Sequence, residues 1–99
     1  MLACIGACGA AHSQSYYNLG CSFNNGKIIR ADIAEEGAKI RIEWEDGVKM
    51  TYTRLSYDNP TLPNIRDSLG GYWYYTSHRT RLGFNLDNQD NGNSIVCYQ

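Results

Sequence analysis

Four consecutive rings, Tyr72, Trp73, Tyr74 and Tyr75, followed by His78, Arg79 and Arg81, are the densest concentration of recognition chemistry in the sequence. Tyr, Trp and Arg dominate protein interfaces, and aromatic rings also stack on sugars and bases. On a strand, Tyr72 and Tyr74 share one face and Trp73 and Tyr75 the other, so one pair enters a core while the other faces outward. Ser68, Gly70 and Gly71 stand just before the run. Glycines let a backbone approach a partner closely, rings give contact area at low entropy cost, and arginine donates to carboxylates. The candidate binding surface is therefore Ser68, Gly70, Gly71, Tyr72, Tyr74, Arg79 and Arg81. The competing account is cross-strand aromatic pairing that staples a small sheet, with the arginines solvated.

Nothing comparable suggests catalysis. The two histidines, His12 and His78, have no metal-ligand spacing. No serine lies in a nucleophile elbow, and no glycine-rich phosphate loop follows a strand. The segment from Asp87 to Asn93 offers oxygens at alternate positions before a glycine, as a calcium loop does. Tyr98 stands where that loop needs a bidentate Glu, and a polar turn between strands explains the same residues. Glu43 and Glu45 alternate with Lys39 and Arg41 on what reads as a solvated face. A non-enzymatic binding domain with no cofactor and no metal is expected.

Cysteines set the compartment. Cys21 and Cys97 bracket the patterned region, while Cys4 and Cys8 lie in an apolar stretch from Met1 to Ala11. A Cys21–Cys97 disulfide joining first and last strands would mark an exported domain and remove roughly 4 kcal/mol of entropy from the unfolded chain. The alternative is two buried thiols that never meet. Residues 1–15 read as a leader or signal-peptide remnant with linker, residues 16–99 as one domain. Ala11 and Ser13 suit a signal-peptidase site, although no Lys or Arg precedes them. Ile5 to Cys8 is similar to a bacterial lipobox, so membrane contact is expected only through a lipid anchor at Cys8.

The charge balance, −1 over 99 residues, points to neither nucleic acid nor an anionic membrane. Eight Tyr and ten Gly against two Pro favour strands joined by tight turns. Lys39 to Glu45 alternates strictly, Asp46-Gly47 signals a hairpin, and Val48 to Thr53 alternates again. Ile40, Ile42, Trp44, Val48, Met50 and Tyr52 are thus expected on one buried face, with Lys39, Arg41, Glu43 and Lys49 outside. Tyr17–Phe23 and Lys27–Ile33 flank a second turn at Asn24-Asn25-Gly26. Gly71–Thr76 and Leu82–Leu86 flank a third turn, and Ser94–Tyr98 closes the chain. These segments make an all-β fold, a small antiparallel barrel or sandwich of about seven strands. In the connection from Ser56 to Leu69, the spacing of Leu62, Ile65 and Leu69, with Pro63 near the start and Gly70 just past the end, predicts a short helix; an irregular loop is the alternative.

The lipobox-like leader, Cys21 in the run Cys-Ser-Phe-Asn-Asn-Gly-Lys27, and the final-strand Cys97 resemble the periplasmic and membrane-bound inhibitors of c-type lysozyme. The resemblance spans about Tyr16 to Tyr98. It implies an eight-stranded antiparallel barrel, an inhibitory Ser-Gly-x-x-Tyr loop and a basic residue on a following strand. Aligned on Gly70, this chain has Leu69 at the serine and Trp73 at the tyrosine, with Arg79 or Arg81 as the basic residue. The expected function is an extracytoplasmic binding module (periplasmic, envelope-anchored or secreted) whose partner is a protein such as a c-type lysozyme. The alternative is a glycan-binding domain that uses the rings from Tyr72 to Tyr75, and the two differ in whether a loop protrudes or rings line a groove.

Overall fold

The computed structural model describes residues 14–56 and 61–99. Cys4, Cys8, His12 and the other leader features lie outside the described residues, as does Pro60. Eight strands follow in order: β1 (Gln14–Phe23), β2 (Ile29–Glu36), β3 (Lys39–Trp44), β4 (Lys49–Arg54), β5 (Ile65–Asp67), β6 (Tyr72–Ser77), β7 (Gly83–Asn88) and β8 (Ser94–Tyr98). Each is antiparallel to the next, and β8 returns to β1 to close a barrel. β1 already includes Gln14 and Ser15, the end of the expected linker.

Local chemistry explains the hairpins. Asn24 and Asn25 both take positive φ, 52° and 60°, and the Gly26 N–H donates to the Phe23 carbonyl, as a tight hairpin turn requires. In β3 the alternation expected from sequence holds at every position: Ile40, Ile42 and Trp44 are buried, while Lys39, Arg41 and Glu43 are exposed. Ile42 lies opposite Met50, and Glu43 opposite Lys49. The Glu43–Lys49 ion pair, 3.9 Å and solvated, adds little.

Val48 corrects one expectation. It is 54% exposed, although it lines the inner side of the barrel. Its parity is right, but it stands at the rim, above the level at which opposite strands cover one another.

The helix expected between Ser56 and Leu69 is a second correction. Ile65 to Asp67 form β5, which makes eight strands rather than seven, and no helix occurs among the described residues. Ile65 is buried, but Leu62 and Leu69 are exposed, so the three do not share a face. The neighbouring edges decide this. β4 and β6 would each leave backbone groups unpaired, and β5 bridges them through Arg54 opposite Ile65 and Ile65 opposite Trp73.

Inward side chains fill an eight-stranded interior without a channel. Leu19, Ile33, Ile40, Ile42, Ile65 and Leu86 are fully buried around the Cys21–Cys97 disulfide. That bridge joins residues directly opposite across the β1–β8 seam. Their Cα atoms are 4.1 Å apart, closer than the roughly 4.4 Å lower bound usual for disulfides. The turns β1–β2, β3–β4, β5–β6 and β7–β8 gather at one end, the mouth. The connections β2–β3 and β6–β7, with the C-terminal end of β4 and the N-terminal end of β5, gather at the other, the base.

Candidate functional site

The strand directions divide the candidate surface. Ser68, Gly70, Gly71 and Tyr72 lie at the mouth, in and beside the β5–β6 turn, whereas Arg79 and Arg81 lie in the β6–β7 turn at the base. The six residues of β6, about 20 Å of chain, separate them. The aromatic run alternates as expected: Trp73 is buried and Tyr75 packs on the core, while Tyr72 and Tyr74 are turned outward. Trp73 meets Tyr52 edge to face at 5.7 Å, and Tyr75 stacks on Phe84 at 5.4 Å. Tyr72 receives the Arg66 guanidinium 5.4 Å from its ring centroid.

Asp67, absent from the candidate set, organises the mouth. Its Oδ1 accepts from the backbone N–H of Leu69 (2.9 Å) and Gly71 (2.8 Å), and its Oδ2 accepts from the Trp73 indole N–H (2.7 Å). Burial alone would raise its pKa, but the Trp73 bond and the backbone donors at Gly71, Leu69 and Gly70 outweigh it, so the carboxyl is held below the ordinary Asp range. Tyr52, opposite Asp67 in the register, is pushed far above the usual tyrosine value by burial and then by the Asp67 charge. The two glycines serve this cap. Gly70 has φ +95°, and a Cβ on Gly71 would come within 2.8 Å of Asp67 Oδ2. The turn held in this way carries Leu69 out of the barrel, 83% exposed. Ser68 packs its hydroxyl 3.1 Å from Met50 Sδ.

Inside this rim lies a cavity of about 600 Å³. Trp44, Tyr52, Trp73 and Ile95 are its buried lining; Phe23, Val48 and Leu69 are its exposed edge, and Met50 sits between. Lys27, Asp46 and Asp67 are its charged groups. Asp67 carried a usable sequence signal: an Asp two to four residues before glycines is the pattern of a side chain that bonds its own turn. Phe23 and Lys27, which flank a hairpin turn, carried none, because nothing local says that separate turns converge.

At the base, packing is tighter. Arg54 pairs with Glu35 at 3.0 Å and lies over Tyr75, and Arg81 sits 4.0 Å over the Tyr98 ring. His78 Nε2 is 2.7 Å from Asn85 Oδ1, while its buried Nδ1 has no hydrogen-bond partner. Between Asp87 and Asn93 the side-chain oxygens serve the turn itself: Asn88 accepts from the Asp90 and Asn91 N–H, and Asn91 from that of Asn93. No group of residues able to hold a metal occurs among the described residues. No family model, curated protein or solved structure matches the chain.

Proposed function

We propose that this domain is a binding module that engages a protein partner through the mouth of the barrel, with inhibition of a c-type lysozyme as its most specific form. The observation that supports it is the β5–β6 tip: Leu69 stands 83% exposed on a turn held by Asp67, beside exposed Phe23 and Val48. Exposed apolar groups around one opening, on a turn already held by hydrogen bonds, suit partner recognition, because a pre-organised turn loses less ordering entropy on docking. The closed antiparallel barrel of eight strands is the architecture that the resemblance implies. An oxidising, extracytoplasmic compartment suits the Cys21–Cys97 bridge.

On this reading Ser68 to Tyr72 contact the partner, and Arg79 and Arg81 do not. A glycan platform across Tyr72 and Tyr74 draws less support, since Arg66 already covers a face of Tyr72. The test is inhibition of a c-type lysozyme by the purified chain at about micromolar concentration. Leu69→Asp is expected to abolish inhibition, and the double change Arg79→Ala with Arg81→Ala to leave it intact. No inhibition by the unmutated chain removes the lysozyme form. Loss in the arginine pair with Leu69→Asp silent would move the site to the base.

A further inference from the structure

The mouth cavity has a chemistry that the exposed tip does not account for. Three buried aromatic side chains, Trp44, Tyr52 and Trp73, line it together with Met50, and Phe23 stands at its edge. Aromatic walls attract cations through the ring quadrupole and apolar stems through burial. A carboxylate stands in the same lining. Asp67 Oδ1 is occupied by two backbone donors, but Oδ2, which takes the Trp73 indole N–H, has a second lone pair. Its donors orient the group before any ligand arrives, so binding need not order it. They also keep it ionised under ordinary conditions. Asp46 and Asp67 outweigh Lys27 among the lining charges. A volume of about 600 Å³ falls within the range of small-ligand pockets.

We propose that the barrel mouth is a pocket for a compact organic cation, an ammonium group on an apolar stem, with the stem against Trp44, Met50 and Trp73 and the ammonium on Asp67 Oδ2. Charge complementarity selects this occupant over a neutral or anionic one: an anion of the same shape would meet the Asp67 carboxylate in a partly desolvated site. The assignment does not rest on the lysozyme reading, and small probes test it without any partner protein.

The chain has two tryptophans, Trp44 and Trp73, and both line the cavity, so intrinsic fluorescence reports its occupancy directly. The probes are phenethylamine, 2-phenylethanol and phenylacetate, matched in stem and differing in charge, titrated into the full chain to about 10 mM. Phenethylamine is expected to change the emission in a saturable manner, at concentrations at least about tenfold below the other two. Asp67→Asn should erase that preference, with a thermal melt to show that the variant is folded. The charge series on the unmutated chain stands by itself if the variant does not fold. Equal binding of all three probes, or tighter binding of phenylacetate, overturns the cationic assignment. No response to any of them overturns the pocket. A parallel titration with Nα-acetyl-lysine amide separates sources: tighter binding than phenethylamine assigns the pocket to a lysine side chain presented by a protein, weaker binding to a free amine.

Discussion

The two ends of one barrel are built from the same strands and finished differently. At the base, charged and aromatic groups meet one another: Arg54 with Glu35 and Tyr75, Arg81 with Tyr98, His78 with Asn85. At the mouth the apolar groups face outward, with Phe23, Val48 and Leu69 exposed around a cavity whose aromatic lining is buried. Apart from His78 Nδ1, which has no hydrogen-bond partner, these base groups are engaged with one another and gain less from a newcomer. The mouth leaves apolar area and a carboxylate lone pair unused, and that surplus is what a ligand can claim. Two single glycines differ as sharply in their surroundings: a Cβ on Gly83, at the base, would meet the Cys97 carbonyl oxygen at 2.4 Å, whereas one on Gly47, in a mouth turn, has nothing within 4 Å.

The largest expected effect strikes both ends together. Reducing the Cys21–Cys97 bridge, or changing both residues to Ala, releases a loop with a sequence separation of 76 and should cost about 4 kcal/mol in urea unfolding. A loss confined to one end in hydrogen exchange would show that the seam does not couple them. Next comes the glycine contrast. Gly83→Ala should destabilise by about 3 kcal/mol, because the facing atoms include backbone that cannot yield. Gly47→Ala should cost only about 1 kcal/mol, the strain of its +94° φ in open space. Similar costs at both positions would remove the difference in packing.

Titration then distinguishes the ends. Tyr75 at the base is raised by burial first and then by the Glu35 charge, and Tyr52 under the mouth by burial and then by Asp67. A phenol raised in the folded state contributes stability that is complete below its unfolded value near 10 and is lost as pH rises above it. Thermal melts should therefore fall from about pH 10 upward, with Tyr75→Phe and Tyr52→Phe each flattening the fall. Asp67, lowered in the folded state, contributes stability that is complete above about pH 4 and is lost as pH falls through its folded value. Asp67→Asn should flatten that acid limb and, by removing the charge that helps raise Tyr52, also soften the alkaline fall slightly. The smallest effects fall on exposed groups: Leu69→Ser at the mouth and Glu43→Ala on the outer wall should each change stability by less than about 0.5 kcal/mol. Leu69→Ser should nevertheless weaken partner binding, and a large loss of stability would make the tip structural.

Legibility in the sequence followed the range of the interaction. The pairing and register of the β3–β4 hairpin are readable, because side-chain alternation and the Asp46-Gly47 turn are set by residues a few positions apart, although Met50, expected buried, is only half-buried. The aromatic run declared its two faces for the same reason. β5 was not readable: three residues between a proline-containing connection and a turn carry too little periodicity, and Leu62, Ile65 and Leu69 mimicked a helix. Val48 had the right parity and the wrong depth, since alternation gives the direction of a side chain and not its height in a barrel.

Apart from β5, strand identity, face and turn position are determined by the sequence itself, through steric alternation and the turn preferences of Asn, Asp and Gly. The candidate surface needed a distance across the molecule. Antiparallel pairing sends Ser68 and Gly70 to one end and Arg79 and Arg81 to the other, and closure of the β1–β8 seam brings Phe23, Val48 and Leu69 around one cavity. Only tertiary structure decides that, because a closed barrel sets neighbours by shear and pairing order, which are properties of the whole sheet and of no single segment.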